Sequence, residues 1–444
     1  MRLTDYVYAS SEMKKRYFDT LTTQVGLRYF GGKSRIGKFI INRIFEMQAY
    51  RYISEKHEPA KVFVDCFTGG GKIALTIPTG WFDTIVINDI NYGVYSYYMC
   101  CRDNPLALID MIERLGKIMS KDMFKLFAYV RSTPGKNLPK VLEGLEIDIK
   151  DSKTVNADML LSAAMTYWVT ASSWEGETDP EHIFYALDTD KKDEKQEIEK
   201  RIKSARKRIM QINAKMMRQN FIIENMDYVD LIAKYKNPEE SVIWYMDPPY
   251  HEATLNKSNE NTTAKSKDKA APYEDSFSFA ETMSMTYILS KMKWFIKSDY
   301  DPEIFFRDPF EELDKEDDRL KLEPSDRFHD FDIIENIDQG FVKEYLGTFI
   351  KSNSDKSSFT GHEVIWTRYD GSPESVTFLG VKEGDTIWKS WQRKKETRHR
   401  WLYIKEGIAN CYLIGMLCDK EPENKELTTV IEERKLMYEQ INKQ

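Results

Sequence analysis

Val62-Phe-Val-Asp-Cys-Phe-Thr-Gly-Gly-Gly-Lys-Ile-Ala-Leu75 passes from an apolar run through a glycine triplet into a helix-forming run. A short apolar run bounded by polar punctuation fits a buried parallel strand, and the glycines mark a turn at its carboxyl end. Gly69, Gly70 and Gly71 put no Cβ between the backbone and a ligand docked there, which is where open α/β sheets bind their ligands. The next apolar run, Thr84-Ile-Val-Ile-Asn88, ends at Asp89, 18 residues beyond Gly71. A carboxylate at the tip of the second strand can accept from ribose hydroxyls, so an adenosine-containing ligand is expected. The segment GGGKIA lacks the third glycine of the GxGxxG fingerprint, which argues against a nicotinamide cofactor. Lys72 is followed by Ile73 rather than Ser or Thr, which argues against a phosphate loop.

Outward from this unit, apolar runs at 221–223, 242–245 and 294–296 join those at 62–64 and 85–87 as strand candidates. An α/β fold built on a parallel sheet follows. The long stretch 104–220 is mostly helical in pattern, too large for a simple crossover, and reads as an inserted domain. Residues 251–271 hold almost no large apolar side chain and read as a mobile loop. Upstream, Leu27-Arg-Tyr-Phe-Gly-Gly-Lys-Ser-Arg-Ile-Gly37 contains Gly-Lys-Ser, but a Walker loop needs glycine where Leu27 stands. What remains is Tyr29 and Phe30 beside Gly31 and Gly32, followed by Lys33.

Ser241-Val-Ile-Trp-Tyr-Met-Asp-Pro-Pro-Tyr250 is an apolar strand ending in Asp-Pro-Pro-Tyr. Two prolines cannot donate to a ladder and fix φ, so they end the strand in a rigid lip. Asp247, the Pro248 carbonyl and the Tyr250 ring are thereby presented together, held by Pro249. That set suits a planar base with an exocyclic amine: two acceptors take its N–H bonds while the ring stacks on the base.

The 444 residues carry a net charge of -7, with 41% hydrophobic and 31% charged residues, a globular composition sufficient for two or three domains. No apolar run approaches the ~18 residues of a membrane helix, and the opening MRLTDYVYASSEMKK has no basic-then-apolar leader, so a cytoplasmic protein is expected. Five cysteines show neither CxxC spacing nor zinc-finger histidines, so no metal site is expected, and Cys100 and Cys101 read as buried thiols. The acidity is local. Residues 301–338 hold 15 acids and five bases, a charge of -10, which leaves the remainder at +3. This block is expected to turn away from, or to repel, any polyanion.

The ordered series Tyr29-Phe-Gly-Gly-Lys33, Asp65-Cys-Phe-Thr-Gly-Gly-Gly71, Asn88-Asp89, a long insertion and Asp247-Pro-Pro-Tyr250 resembles the Dam-type (alpha class) adenine-N6 DNA methyltransferases. The resemblance spans about residues 25–370. It implies a Rossmann-like class I methyltransferase sheet with a mainly helical inserted target-recognition domain, S-adenosylmethionine as cofactor and double-stranded DNA as substrate. Carried over by residue, Tyr29, Phe30, Gly32 and Lys33 of the first motif would line the cofactor site. Asp65, Phe67, Gly69 and Gly71 would follow from the second, and Asp89 from the third. Glu224-Asn-Met-Asp-Tyr228 falls where the family contacts the cofactor adenine, which implicates Asp227 and Tyr228. Asp247, Pro248, Pro249 and Tyr250 would be catalytic, with Asp247 between cofactor and target base. Two departures are Tyr29-Phe30 in place of Trp-Ala, and Ser298-Asp299 in place of Ser-Asn.

The implied boundaries are 1–103 for the cofactor half, 104–220 for the insertion, 221–385 for the catalytic half and 386–444 for an extension. The stretch 200–218 has a basic face, including Lys200, Lys203, Arg206 and Lys207, opposite Ile202, Ile209, Ile212 and Met216, and suits DNA phosphates. A second basic cluster interleaved with tryptophans includes Arg393, Lys394 and Arg398. Trp168-Val-Thr-Ala-Ser-Ser-Trp-Glu-Gly176 is compatible with base or phosphate contact and equally with a turn between helices. Competing readings keep the cofactor but act on RNA or a protein amide, or keep the scaffold as a silent DNA-binding protein. A DNA enzyme of this kind stands alone or works beside a companion restriction endonuclease.

Overall fold

The computed structural model describes residues 5, 9–21, 26–29, 33, 36–53, 58–132, 154–173, 176, 185–186, 194–236, 241–249, 285, 288–289, 292, 294–302, 342–352 and 359–367. Phe30, Gly32, Tyr250, Arg393, Lys394 and Arg398 lie outside them, as do 303–338 of the acidic block, the loop 251–271 and the extension 386–444.

Seven strands form one sheet: β1 (Val62–Asp65), β2 (Thr84–Asn88), β3 (Asn220–Glu224), β4 (Val242–Met246), β5 (Phe295–Pro302), β6 (Val342–Ser352) and β7 (Phe359–Thr367). Their order is β3-β2-β1-β4-β5-β7-β6. The first five are parallel, and β7 runs antiparallel to both its neighbours. Each of the five apolar runs in the sequence corresponds to one of β1 to β5, and the fold is the expected α/β methyltransferase sheet. The chain steps from β1 outward to β2 and β3, then returns to lay β4 on the other side of β1. That reversal opens a crevice at the carboxyl ends of β1 and β4, the place where doubly wound sheets hold ligands.

Strand side chains alternate between two faces, each covered. Phe63, Ile85, Ile87, Ile243, Tyr245 and Ile296 belong to the larger hydrophobic cluster, while Val64, Val86, Trp244, Met246 and Phe295 belong to the smaller. This double burial explains why the strands read as continuous apolar runs rather than alternating ones. Helices α1 (Ser11–Thr20), α2 (Gly37–Ile53), α3 (Lys72–Thr76) and α4 (Tyr92–Asp103) come before the long helical stretch. That stretch contains α5 (Pro105–Lys117), α6 (Lys121–Val130), α7 (Ala157–Ser172) and α8 (Glu194–Met216). α9 (Tyr228–Tyr235) covers the smaller cluster.

The helices of 104–220 share the larger cluster with the strands. At its centre α7 is buried on all sides from Met159 to Ser172, as expected for a helix apolar around its circumference. Asn156 caps it by accepting from Met159 N, and Gly93 of α4 lets it come close: a Cβ there would stand 2.1 Å from Thr166 Oγ1. Trp168 is fully buried and donates from Nε1 to Ile112 O at 2.9 Å, so residues 168–172 are helix core and neither a DNA contact nor a turn. Trp174 and Glu175 lie outside the described residues.

α8 turns Ala205, Ile209, Ile212 and Met216 inward, with Ile202 packed at the cluster edge. Near its end Lys215 folds back to donate to Ile77 O, and burial lowers its pKa to about 8. Among the described residues no helix is long and apolar enough to cross a membrane. Because Trp168 fills the core and satisfies a backbone carbonyl, Trp168→Ala should lower unfolding free energy by roughly 3–5 kcal/mol in urea titration. A loss under about 1 kcal/mol would contradict this packing role.

Candidate active site

The turn after β1 is shaped by two left-handed glycines, Gly69 at φ 43° and Gly71 at φ 67°. Asp65, buried at the strand end, accepts from the backbone N–H groups of Phe67 and Ala74 and so ties the turn to α3. Burial, followed by the nearby Asp247 and Asp89 carboxylates, raises its pKa well above the usual carboxylate range.

The segment 26–29 lies directly on this turn. A Cβ on Gly26 would stand 1.7 Å from Gly70 O, and one on Gly70 would stand 2.9 Å from Leu27 O. On Gly69 it would meet the Tyr29 ring at 3.0 Å, and on Gly71 the Tyr98 hydroxyl at 2.4 Å. The clearance left by the glycines is therefore taken up by protein, which lets two backbone segments and two tyrosines close around the turn. Gly176, at φ 90°, sits equally tightly, with its Cβ position 3.0 Å from Tyr29 backbone atoms. It carries the stretch 104–220 onto the first motif.

At the tip of β2 the Asp89 carboxylate accepts from Gly69 N at 2.8 Å and from Asn91 N at 3.0 Å. Asn91 in turn caps α4. Asn88, buried, donates from Nδ2 to Cys66 O and to Met226 O, both at 3.0 Å, and accepts from Met226 N at 3.1 Å. Asn225 Nδ2 donates to Asp89 O and Ile90 O, both at 2.8 Å. The ends of β1, β2 and β3 are thus pinned by two asparagine side chains. In the sequence, Asn225 carries a weak signal as an Asn one residue beyond a strand end, and Tyr98 carries none.

Asp227 accepts from Val229 N and caps α9, while Tyr228 is buried with its ring 5.6 Å from that of Phe67. Tyr228 belongs to the smaller cluster and Phe67 packs against it.

Across the crevice, Asp247 follows β4, and its Oδ1 lies 2.8 Å from Lys33 Nζ. The Lys33 side chain is 5% exposed and that of Asp247 17%. Pro248 is buried. Beneath it, Tyr245 Oη and Ser298 Oγ share a hydrogen bond of 2.8 Å that joins β4 to β5, which gives the Ser298 of the departing Ser-Asp pair a structural place. Lys33, Asp65, Asp89 and Asp247 thus converge on the switch point.

On α8, Lys203 and Lys207 are exposed, Lys200 pairs with Glu197 at 2.8 Å and Arg206 pairs with Glu113 at 2.5 Å. Exposed pairs of this kind contribute about 0–1 kcal/mol, so they yield readily to a stronger anion.

Over residues 29–292, more than half of its length, the chain matches the family described as D12 class N6 adenine-specific DNA methyltransferase. A search of curated proteins finds no match. The matched span runs from Tyr29 of the first motif through the glycine turn and Asp89 to beyond Asp-Pro-Pro-Tyr, so it contains every group that converges on the crevice. Enzymes of this family are generally S-adenosylmethionine-dependent and act on DNA. The chain belongs to the D12 class N6 adenine-specific DNA methyltransferase family, and it methylates the exocyclic amine of adenine in DNA.

Proposed function

We propose that S-adenosylmethionine binds over the glycine turn and that Asp247, Pro248, Pro249 and Tyr250 hold a flipped adenine beside it. The observation that carries this reading is the position of Asp247: at the switch point, anchored to Lys33, and close enough to Asp65 to raise its pKa. The residues present fit the cofactor. Asp89 stands at the second strand's tip, the position from which a carboxylate accepts ribose hydroxyls, and its bonds from Gly69 N and Asn91 N fix the carboxylate there. Tyr29 lies against Gly69 and offers an aromatic face at the same edge. When bound, the cofactor supplies an electrophilic methyl group on a positively charged sulfur.

The chain's own residues then act by position and charge. Asp247 and the Pro248 carbonyl accept the two N–H bonds of N6, which draws the nitrogen lone pair out of conjugation with the ring and toward the methyl donor. Lys33 fixes the direction of the carboxylate, and the prolines prevent the lip from yielding. Positive charge develops on N6 as the new bond forms. A carboxylate in a water-poor crevice stabilises that charge and can take the proton the amine sheds. Tyr250 supplies the stacking surface that offsets the few kcal/mol of extruding the base.

Duplex phosphates would meet Lys200, Lys203, Arg206 and Lys207 on α8, with Arg393, Lys394 and Arg398 as a further basic element. The helical stretch 104–220 would read the target sequence. A cytoplasmic enzyme acting alone or beside a companion endonuclease fits equally.

Three outcomes are expected. Asp247→Ala should lower methyl transfer to duplex DNA from labelled cofactor by at least about 100-fold, the scale of losing one preorganised transition-state contact. Full activity would remove Asp247 from the mechanism. Lys33→Met removes the cation from the pair and should cost about 3 kcal/mol of stability. Adding Asp247→Asn should recover part of that loss, whereas additive losses in the double-mutant cycle would deny the ion pair a stabilising role. Lys203→Gln and Lys207→Gln should each reduce the slope of log binding constant against log salt by about 1 on nonspecific duplex. Slopes identical to the parent enzyme would place DNA elsewhere.

A further inference from the structure

Tyr98, on α4, stands between the two chain segments that build the cofactor side of the crevice. Its hydroxyl donates to Gly69 O at 3.1 Å and accepts from Leu27 N at 3.5 Å. The residue is 1% exposed, and its ring edge lies beneath Gly71, where a Cβ would collide with the hydroxyl. Gly69 therefore has both backbone groups held, its N–H by Asp89 and its carbonyl by Tyr98. The same hydroxyl reaches Leu27, two residues before the Tyr29 ring that covers Gly69. Burial raises the phenol pKa well above its usual value, so the hydroxyl keeps its proton and remains a donor at any working pH. Nothing in methyl transfer needs this group.

We infer that Tyr98 is a positioning residue for S-adenosylmethionine: it sets the spacing between the glycine turn and the 26–29 segment through Gly69 and Leu27 without touching the ligand. The inference rests on the reading that the cofactor binds over that turn. A left-handed glycine tied on one side only can swing its peptide, whereas one tied on both sides presents a fixed surface to the ligand before it arrives. That preorganisation belongs to cofactor affinity and not to the chemical step.

Tyr98→Phe keeps the ring under Gly71 and deletes only the hydroxyl. We expect the Kd and KM for S-adenosylmethionine to rise about tenfold, with kcat within about twofold of the parent and the KM for DNA unchanged. A merely structural role would lower Tm and leave the cofactor Kd of the folded protein where it was. Asp89→Ala, measured in parallel, tests the cofactor site itself. Weakened binding in Asp89→Ala with unchanged binding in Tyr98→Phe overturns the role of Tyr98 and leaves the site standing. Unchanged binding in both removes the site and the inference together. A second measurement needs no variant: in the native protein, S-adenosylmethionine should slow hydrogen exchange at the Leu27 amide along with residues 69–71. Exchange at Leu27 that ignores the cofactor would overturn the coupling even if Tyr98→Phe failed to fold.

Discussion

The contact between Lys33 and Asp247 is the constraint around which the crevice is arranged. Removing two opposite charges from water is costly, and their attraction offsets that cost only where geometry is close and the surroundings supply further hydrogen bonds. The 2.8 Å pair meets the first condition. It also joins the segment before the sheet to the end of β4, so the first motif cannot drift from the catalytic lip without separating a buried charge from a half-buried one. With three carboxyls gathered at the switch point, the buried Lys33 offsets part of their charge. The raised pKa of Asp65, caused by burial first and by its two acidic neighbours second, is the mark of that crowding.

Backbone approach is the second organising element. Gly26, Gly70 and Leu27 bring two peptide segments closer than any side chain would allow, and Gly93 and Gly116 do the same for α7 against its neighbours. These are places where a Cβ would meet backbone, a hydroxyl or a tryptophan edge, so the cost of substitution is steric and falls on the architecture of the site. The helical stretch 104–220 benefits from the same close packing. α7 sits in one hydrophobic cluster with the sheet, and Gly176 rests on the backbone of Tyr29. An element proposed to read DNA is thereby in contact with an element proposed to hold the cofactor.

Charge on the whole chain is a poor guide to such a protein. The net -7 averages a block of -10 at 301–338 with a remainder of +3, and the exposed lysines of α8 present positive charge while its apolar stripe packs inward. An acidic sequence and a polyanionic substrate are compatible once the charges are segregated along the chain.

The sequence by itself determined the sheet, because a strand buried on both faces must be written as a short apolar run and five such runs stand between residues 62 and 296. It also determined the ends of those strands, since a glycine triplet, an Asn-Asp pair and Asp-Pro-Pro-Tyr are local signals that need no partner to be legible. Only the tertiary structure decided what each group faces. It turned Lys33 to Asp247, turned the missing side chains of Gly69 and Gly71 toward Tyr29 and Tyr98, and put Trp168 in the core with its indole N–H on a carbonyl of α5. The reason is physical. A motif records which chemistry is available at a position, whereas orientation is settled by contacts between residues far apart in the chain, and no pattern within a segment encodes the direction of its partner.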